Sequence, residues 1–148
     1  MAATPSEIEI RKVPVSQIID LRHRVLRAGL PRESAHFSGD DSAVHFAALL
    51  EGRAVGCCTL MPSRHEGNAA LQLRGMAVEP SLQRSGIGVK LLVEAEIEAK
   101  RRKIKTIWAN CRTPAVPFYK RAGWQIISEE FQIETAGPHF KMVWAIVA

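Results

Sequence analysis

Leu73-Arg74-Gly75-Met76-Ala77-Val78-Glu79-Pro80-Ser81-Leu82-Gln83-Arg84-Ser85-Gly86-Ile87-Gly88-Val89-Lys90-Leu91-Leu92 is the stretch that decides the fold. Residues 69–78 read as a long strand that Glu79-Pro80 ends. A short glycine-bearing loop follows, and residues 86–103 read as the strongest helix of the chain. Leu91, Leu92, Ala95 and Ala99 fall on one apolar stripe at helical spacing. Gly88 extends that stripe back by one turn, where a missing side chain allows close packing or close approach of a ligand. The start of a helix offers unpaired backbone N–H groups and a partial positive charge. Strand, glycine loop and helix together therefore predict a cradle for phosphate groups.

Working outward, residues 8–13 read as a first strand, and the apolar spacing of Ile18, Ile19, Leu21, Val25 and Leu26 predicts a helix. Residues 32–42 are polar and read as a surface loop. Residues 44–50 and 54–61 form a hairpin around Glu51-Gly52, which the strand at 69–78 extends. Downstream come a short buried strand at 106–109, a short helix at 114–122, and strands at 124–127 and 140–147. On the helix at 86–103, Glu94, Glu98 and Arg102 are expected on the outer side, with Arg101-Arg102-Lys103 and Lys105 solvated near its C-terminus. The order β-α-β-β-β-α-β-α-β-β makes an α/β (α+β) domain with a mixed, mainly antiparallel sheet. One domain is expected over residues 1–148.

Composition narrows the function. The 148 residues are 47% hydrophobic and 24% charged, as in a globular chain. Twenty Lys+Arg against 15 Asp+Glu leave a formal charge of +5, a mild excess that favours anionic ligands. Basic residues are not interleaved with stacking aromatics, so no nucleic-acid partner is expected. No apolar run approaches a membrane span, and the first seven residues lack the pattern of a secretory signal. Cys57, Cys58 and Cys111 are odd in number, have no CxxC spacing, and read as small buried apolar groups in a reduced, cytoplasmic protein. The five histidines show no metal-ligand spacing, so no metal is expected.

The phosphate ligand is narrowed by what the loop lacks. A dinucleotide GxGxxG fails at Leu91, and no Gly-Lys-Ser or Gly-Lys-Thr supplies a Walker loop. Gln83-x-x-Gly86-x-Gly88, behind a strand ending Val78-Glu79-Pro80, resembles the pyrophosphate-binding motif of the GNAT superfamily of acyl-CoA N-acyltransferases. Trp108-Ala109-Asn110-Cys111-Arg112 and Phe118-Tyr119-Lys120-Arg121-Ala122-Gly123-Trp124 look like the later motif of that family. Gly137-Pro138-His139-Phe140-Lys141-Met142 and the early Leu21-Arg22-His23-Arg24-Val25-Leu26 resemble its ElaA-like branch. Gly137 stands where that branch has an aliphatic residue, and Ala136 where it has Gly.

The resemblance implies helices on both faces of a sheet whose fourth and fifth strands splay apart. It implies acetyl-CoA as co-substrate, with its diphosphate on Gln83, Arg84, Ser85, Gly86, Ile87, Gly88 and Val89, and its pantetheine arm along the backbone of Met76, Ala77 and Val78. Asn110, Phe118 and Tyr119 complete the implied coenzyme site. An amine attacks the thioester directly, and Tyr119, the only tyrosine of the chain, stands where the family has the acid that protonates the departing thiolate. Family members are often dimers, which makes a homodimer a candidate assembly. The chemistry independently requires a neutral amine, an oxyanion partner and help for the thiolate. His139 is the first candidate base, because imidazole changes charge near neutral pH. Glu134 and His45 come behind it.

Each site residue also has a structural reading. Tyr119 could be a core aromatic, His139 a hydrogen-bonded structural histidine, and Asn110 a cap. Lys120 and Arg121 are candidate phosphate contacts, and an acyl-cysteine on Cys111 lacks a partner at telling spacing. Asp40-Asp41 offers an acidic attraction for a cationic amine, against a plain solvated loop. The expected activity is acetyl transfer from acetyl-CoA to a primary amine of a small molecule. The rivals are a non-catalytic acyl-CoA-binding regulatory module and a protein N-terminal or lysine acetyltransferase.

Overall fold

The computed structural model describes residues 7–146. The expected end of the last strand at Val147, and most of the leader reading at residues 1–7, lie outside them. Eight strands form one sheet in the order β1-β2-β3-β4-β5-β8-β6, with β7 also paired to β8. They are β1 (Glu9–Val13), β2 (Val44–Leu50), β3 (Arg53–His65), β4 (Asn68–Val78), β5 (Thr106–Arg112), β6 (Gln125–Ile126), β7 (Phe131–Ile133) and β8 (Gly137–Ala145). The α-helices are α1 (Ile19–Leu26), α2 (Ile87–Arg101) and α3 (Val116–Arg121). All strand pairs are antiparallel except β4 with β5. The mixed, mainly antiparallel sheet and the order of its main elements agree with the sequence reading, which missed the three-residue β7.

Two cores cover the two faces. Leu91, Leu92, Ala95 and Ala99 of α2 bury their stripe against Leu60, Leu71, Leu73, Ile107 and Met142, joined by Tyr119 of α3. On the other face Ile18 and Leu21 pack on Ala47, Cys57 and Ala77. Helices therefore stand on both faces. Ile87 anchors the start of α2: its Cγ2 lies where a Cβ on Gly56 of β3 would come within 2.7 Å. Only glycine at 56 lets the helix start sit so close to the sheet.

Two local readings need correction. Glu98 is not on the outer side of α2; it is 3% exposed and ion-paired with Lys12, Arg101 and Arg102. Position 98 is seven residues after Leu91, so helical periodicity itself turns it inward. The outer side instead shows Val89, Val93 and Ile97. Residues 32–42 are not simply a surface loop. They form two 3₁₀ turns, Arg32–Ala35 and Asp40–Ser42, with Ala35, Phe37 and Asp40 buried.

Candidate active site

The site begins with an irregularity in β4. Cys57 pairs with Ala77, but two residues later Thr59 pairs with Arg74, so β4 carries one extra residue at Gly75-Met76. Such a bulge bends its strand. Gly75 has φ 64°, and a Cβ there would lie 2.9 Å from Phe37 Cε2 and 3.3 Å from Arg22 Nε. Beyond the bulge β4 leaves its neighbour: β4 and β5 pair only at Leu71↔Ile107 and Gln72↔Trp108. The fourth and fifth strands thus splay as expected, and the edge of β4 from Leu73 onward presents backbone groups with no β5 partner.

The loop after β4 builds the cradle. Gln83 Nε2 donates to Val78 O at 3.2 Å, which ties the loop to the end of the strand. Ser85 Oγ donates to Leu82 O. Arg84 has φ 67° and Gly86 φ 89°, two left-handed residues that flank Ser85. Backbone of this kind turns successive N–H groups toward one concavity. Gly86 is the N-cap of α2, and the first N–H bonded back to it is that of Lys90, at 3.1 Å. The N–H groups of Ile87, Gly88 and Val89 have no carbonyl partner within the helix. The side chains differ in role: Ile87 is in the core, Val89 is exposed, and Gly88 lies against Phe118.

Tyr119 stands on α3, on the α2 side of the sheet. It is 6% exposed and packs edge-on against Phe118 and Trp124, with ring centroids 5.1 and 5.3 Å away. Its hydroxyl has no hydrogen-bond partner among the described residues. Burial pushes the phenol well above its ordinary pKa of 10, so it stays protonated at neutral pH. Asn110 is exposed on β5, and its strand position sets it on the opposite face, with Trp108 and Arg112.

His139 faces the α1 side as well, because it pairs directly with Arg112 across β5 and β8. It is 4% exposed, stacks on Phe131, and its Nδ1 lies 2.8 Å from Gly137 O. A carbonyl only accepts, so Nδ1 carries the proton and Nε2 is the lone-pair atom of the neutral ring. His45 has no such free atom. Its Nε2 donates to Asp40 O at 3.1 Å, and Nδ1 accepts from Thr59 at 2.9 Å. It therefore belongs to a structural network and not to the base set. Glu134 is exposed in the turn between β7 and β8.

That network also consumes Asp40. Arg22, with no exposure at all, donates to both carboxylate oxygens of Asp40 at 2.9 and 3.0 Å, to Ala35 O, and to Thr59 Oγ1 at 2.6 Å. Burial would raise the Asp40 carboxyl, but Arg22 and the Phe37 N–H outweigh it and hold the pKa down. The charge of Asp40 is thereby neutralised, and it is not an attraction for a cationic amine. Cys111 is not a nucleophile at neutral pH, since burial pushes its thiol up to about 12. Among the described residues no group of three or more potential ligands could hold a metal ion.

Known proteins share this fold. An uncharacterized N-acetyltransferase of Bacillus subtilis (strain 168), YitI, is 24% identical over 140 residues, which cover 91% of this chain and 94% of that protein. The structure resembles an IAA acetyltransferase from Bacillus cereus ATCC 14579, with TM-score 0.75, 20% identity, and 94% and 99% of the two chains covered. It also resembles an aminoglycoside 6'-N-acetyltransferase complexed with coenzyme A, with TM-score 0.77, 19% identity, and 95% and 98% covered. A GNAT family acetyltransferase from Elizabethkingia anophelis with acetyl-CoA bound gives TM-score 0.72, 17% identity, and 95% and 99% covered. Residues 15–124, from ahead of α1 through the cradle and Tyr119 to Trp124, match the acetyltransferase (GNAT) family, and the chain belongs to that family of acetyl-CoA-dependent N-acyltransferases.

Proposed function

We propose that the protein transfers the acetyl group of acetyl-CoA to the primary amine of a small molecule by direct attack. The observation that carries this reading is the split between β4 and β5, with the cradle at one end and a buried, protonated phenol on α3. In it the coenzyme diphosphate takes the N–H groups of residues 84–89, and the pantetheine arm lies on the open edge of β4 at Met76, Ala77 and Val78. Phe118, packed on Gly88, flanks the diphosphate end, and Asn110 borders the opening on the far face.

The neutral amine forms its N–C bond at the thioester carbonyl, and a backbone N–H of β4 receives the developing oxyanion. Collapse breaks the C–S bond, and the Tyr119 proton passes to the departing sulfur. The amine proton goes to Nε2 of His139, directly or through water. The phenolate regains its proton from solvent. Products are the N-acetyl compound and coenzyme A as the thiol.

Thermal unfolding with and without acetyl-CoA tests the reading, with NADH and ATP as controls. At about 100 times its Kd the ligand adds roughly 2.7 kcal/mol, a shift on the order of 5–10 °C for a domain of this size. A shift with acetyl-CoA alone is expected, followed by thiol release with amines. An unchanged melting temperature at millimolar acetyl-CoA would remove the cradle from the coenzyme site. Tight coenzyme binding with no thiol release across amines and peptides would leave a binding module without chemistry.

A further inference from the structure

Three arginines border the split on the α1 face, and none is ion-paired with a carboxylate among the described residues. Arg74 lies one residue before the bulge of β4, Arg112 ends β5, and Arg27 caps α1. Arg27 Nη1 and Arg112 Nη2 donate to the same oxygen, Leu26 O, at 3.3 and 3.2 Å. Arg27 and Arg74 share the ring of Phe37, with guanidinium carbons 5.3 and 4.7 Å from its centroid. One chain of contacts therefore gathers the three charges. All three are half-buried, and no ion pair among the described residues includes them. Asp40, their neighbouring acid, is held by Arg22.

A structural cluster of this kind gathers around an acid, as Lys12, Arg101 and Arg102 gather around Glu98 on the other face. Here the neighbouring acid, Asp40, is already taken by Arg22. Burial and the charges of Arg112, Arg74 and Arg22 work against protonation of Arg27; burial and Arg22 work against that of Arg74, which Asp40 only partly offsets. Arginine nevertheless stays charged in proteins, so the repulsion persists until an anion joins the cluster. The coenzyme diphosphate is not that anion, because its cradle starts α2 on the opposite face of the sheet.

We propose that Arg27, Arg74 and Arg112 bind a carboxylate of the acceptor, so that the acetylated amine belongs to a molecule with a carboxylate a few bonds away, an amino acid being the simplest. This rests on the acetyltransferase reading above. A guanidinium fork matches a carboxylate in plane and spacing, and several forks fix its orientation. The cluster also borders the opening where the thioester meets its acceptor. Its field disfavours the ammonium form of a nearby amine, and so supplies part of the neutral nucleophile that the reaction requires. The same field rejects polycationic acceptors.

The test compares matched ligands that differ only in the anion. Binding of N-acetyl amino acids and of their α-amides, across the twenty side chains, is titrated on the protein saturated with coenzyme A. Acetyl transfer to the free amino acids, to their α-amides and to O-phosphoethanolamine is followed by thiol release. The acids are expected to bind and react at least about tenfold better than the amides, the advantage of a charge-assisted bidentate contact. Arg74→Gln and Arg112→Gln are each expected to raise KM for the acid while coenzyme affinity and melting temperature hold. Amides equal to acids, or an acid preference that survives both substitutions, would overturn the proposal. Preference for O-phosphoethanolamine would replace carboxylate by phosphate and overturn it as stated. Acid-selective binding without turnover of any amine would keep the anion site and remove the acetyltransferase reading. Turnover without acid preference would do the reverse.

Discussion

Gly88 of α2 and Phe118 of α3 meet too closely for a methyl group: a Cβ on Gly88 would stand 2.9 Å from Phe118 Cζ and 3.2 Å from Cε1. The second glycine of the cradle therefore serves packing, and it couples the cradle to the helix that carries Tyr119. Phe118 in turn lies edge-on to Tyr119. Gly88→Ala must push the Phe118 ring aside, and the tyrosine with it. Such overpacking costs about 1–3 kcal/mol. Denaturant unfolding should show that loss, and steady-state kinetics should show a fall in kcat larger than any change in coenzyme affinity. A variant as stable and active as the parent would mean that the contact transmits nothing.

Tyr119→Phe removes one oxygen from a ring held on two sides by aromatics. The hydroxyl has no protein partner among the described residues, so stability should change by less than about 1 kcal/mol. Turnover should fall on the order of 10²-fold while coenzyme affinity holds, as for loss of a general acid. The phenol is held protonated far above neutral pH. The pH profile of kcat should therefore lose height in the variant without shifting its limbs below pH 10. An unchanged kcat would remove Tyr119 as the acid.

The parts of this structure that were legible in the sequence are those encoded locally. The strand–loop–helix at 73–92 carries its own turn glycines, stripe and cap, so the cradle could be placed before any tertiary contact was known. The hairpin at Glu51-Gly52 is likewise local. What escaped is held by contacts distant in sequence. Arg22 meets Asp40 and Thr59, 18 and 37 residues away, and nothing near any of them marks the pairing. Arg27, Arg74 and Arg112 come from three elements that only the sheet order brings together. Phe131–Ile133 is a strand only because β8 lies beside it. Glu98 is different: the spacing that identified Leu91 and Ala95 also pointed it inward, and its charge obscured the signal.

Glu98→Gln should expose that inward carboxylate in a pH profile. Burial alone would raise its pKa, but hydrogen bonds from Lys12, Arg101 and Arg102 hold it down to about 2, against an ordinary 4.5. A depressed folded pKa gives stability that is present above about 4.5 and lost as the pH falls toward 2. Lys12 and Arg101 reach solvent, which keeps the contribution below the full value of the shift. At pH 7 the substitution should cost about 1–3 kcal/mol by urea unfolding. That difference should shrink as the pH falls from 4.5 toward 2. A deficit of the same size at pH 3 and pH 7 would show that packing, not charge, holds Glu98.

Asp40→Asn should be the most damaging of these changes. It keeps the shape of the side chain and an acceptor for the Phe37 N–H, but it withdraws the charge opposite a guanidinium that has no exposure. Removing one member of a buried pair costs about 3–5 kcal/mol, because the remaining charge stays desolvated. Arg22 is already strained in this respect, since its buried Nε has no partner among the described residues. Asp41→Asn, at the exposed neighbouring position, should change stability by less than about 0.5 kcal/mol. Equal losses in the two variants would remove the ion pair from its proposed role. The pair also fixes the turn that carries Phe37, and Phe37 is the ring that Arg27 and Arg74 share. Under conditions where Asp40→Asn remains folded, acceptor KM should therefore rise while coenzyme affinity, set on the opposite face of the sheet, stays constant.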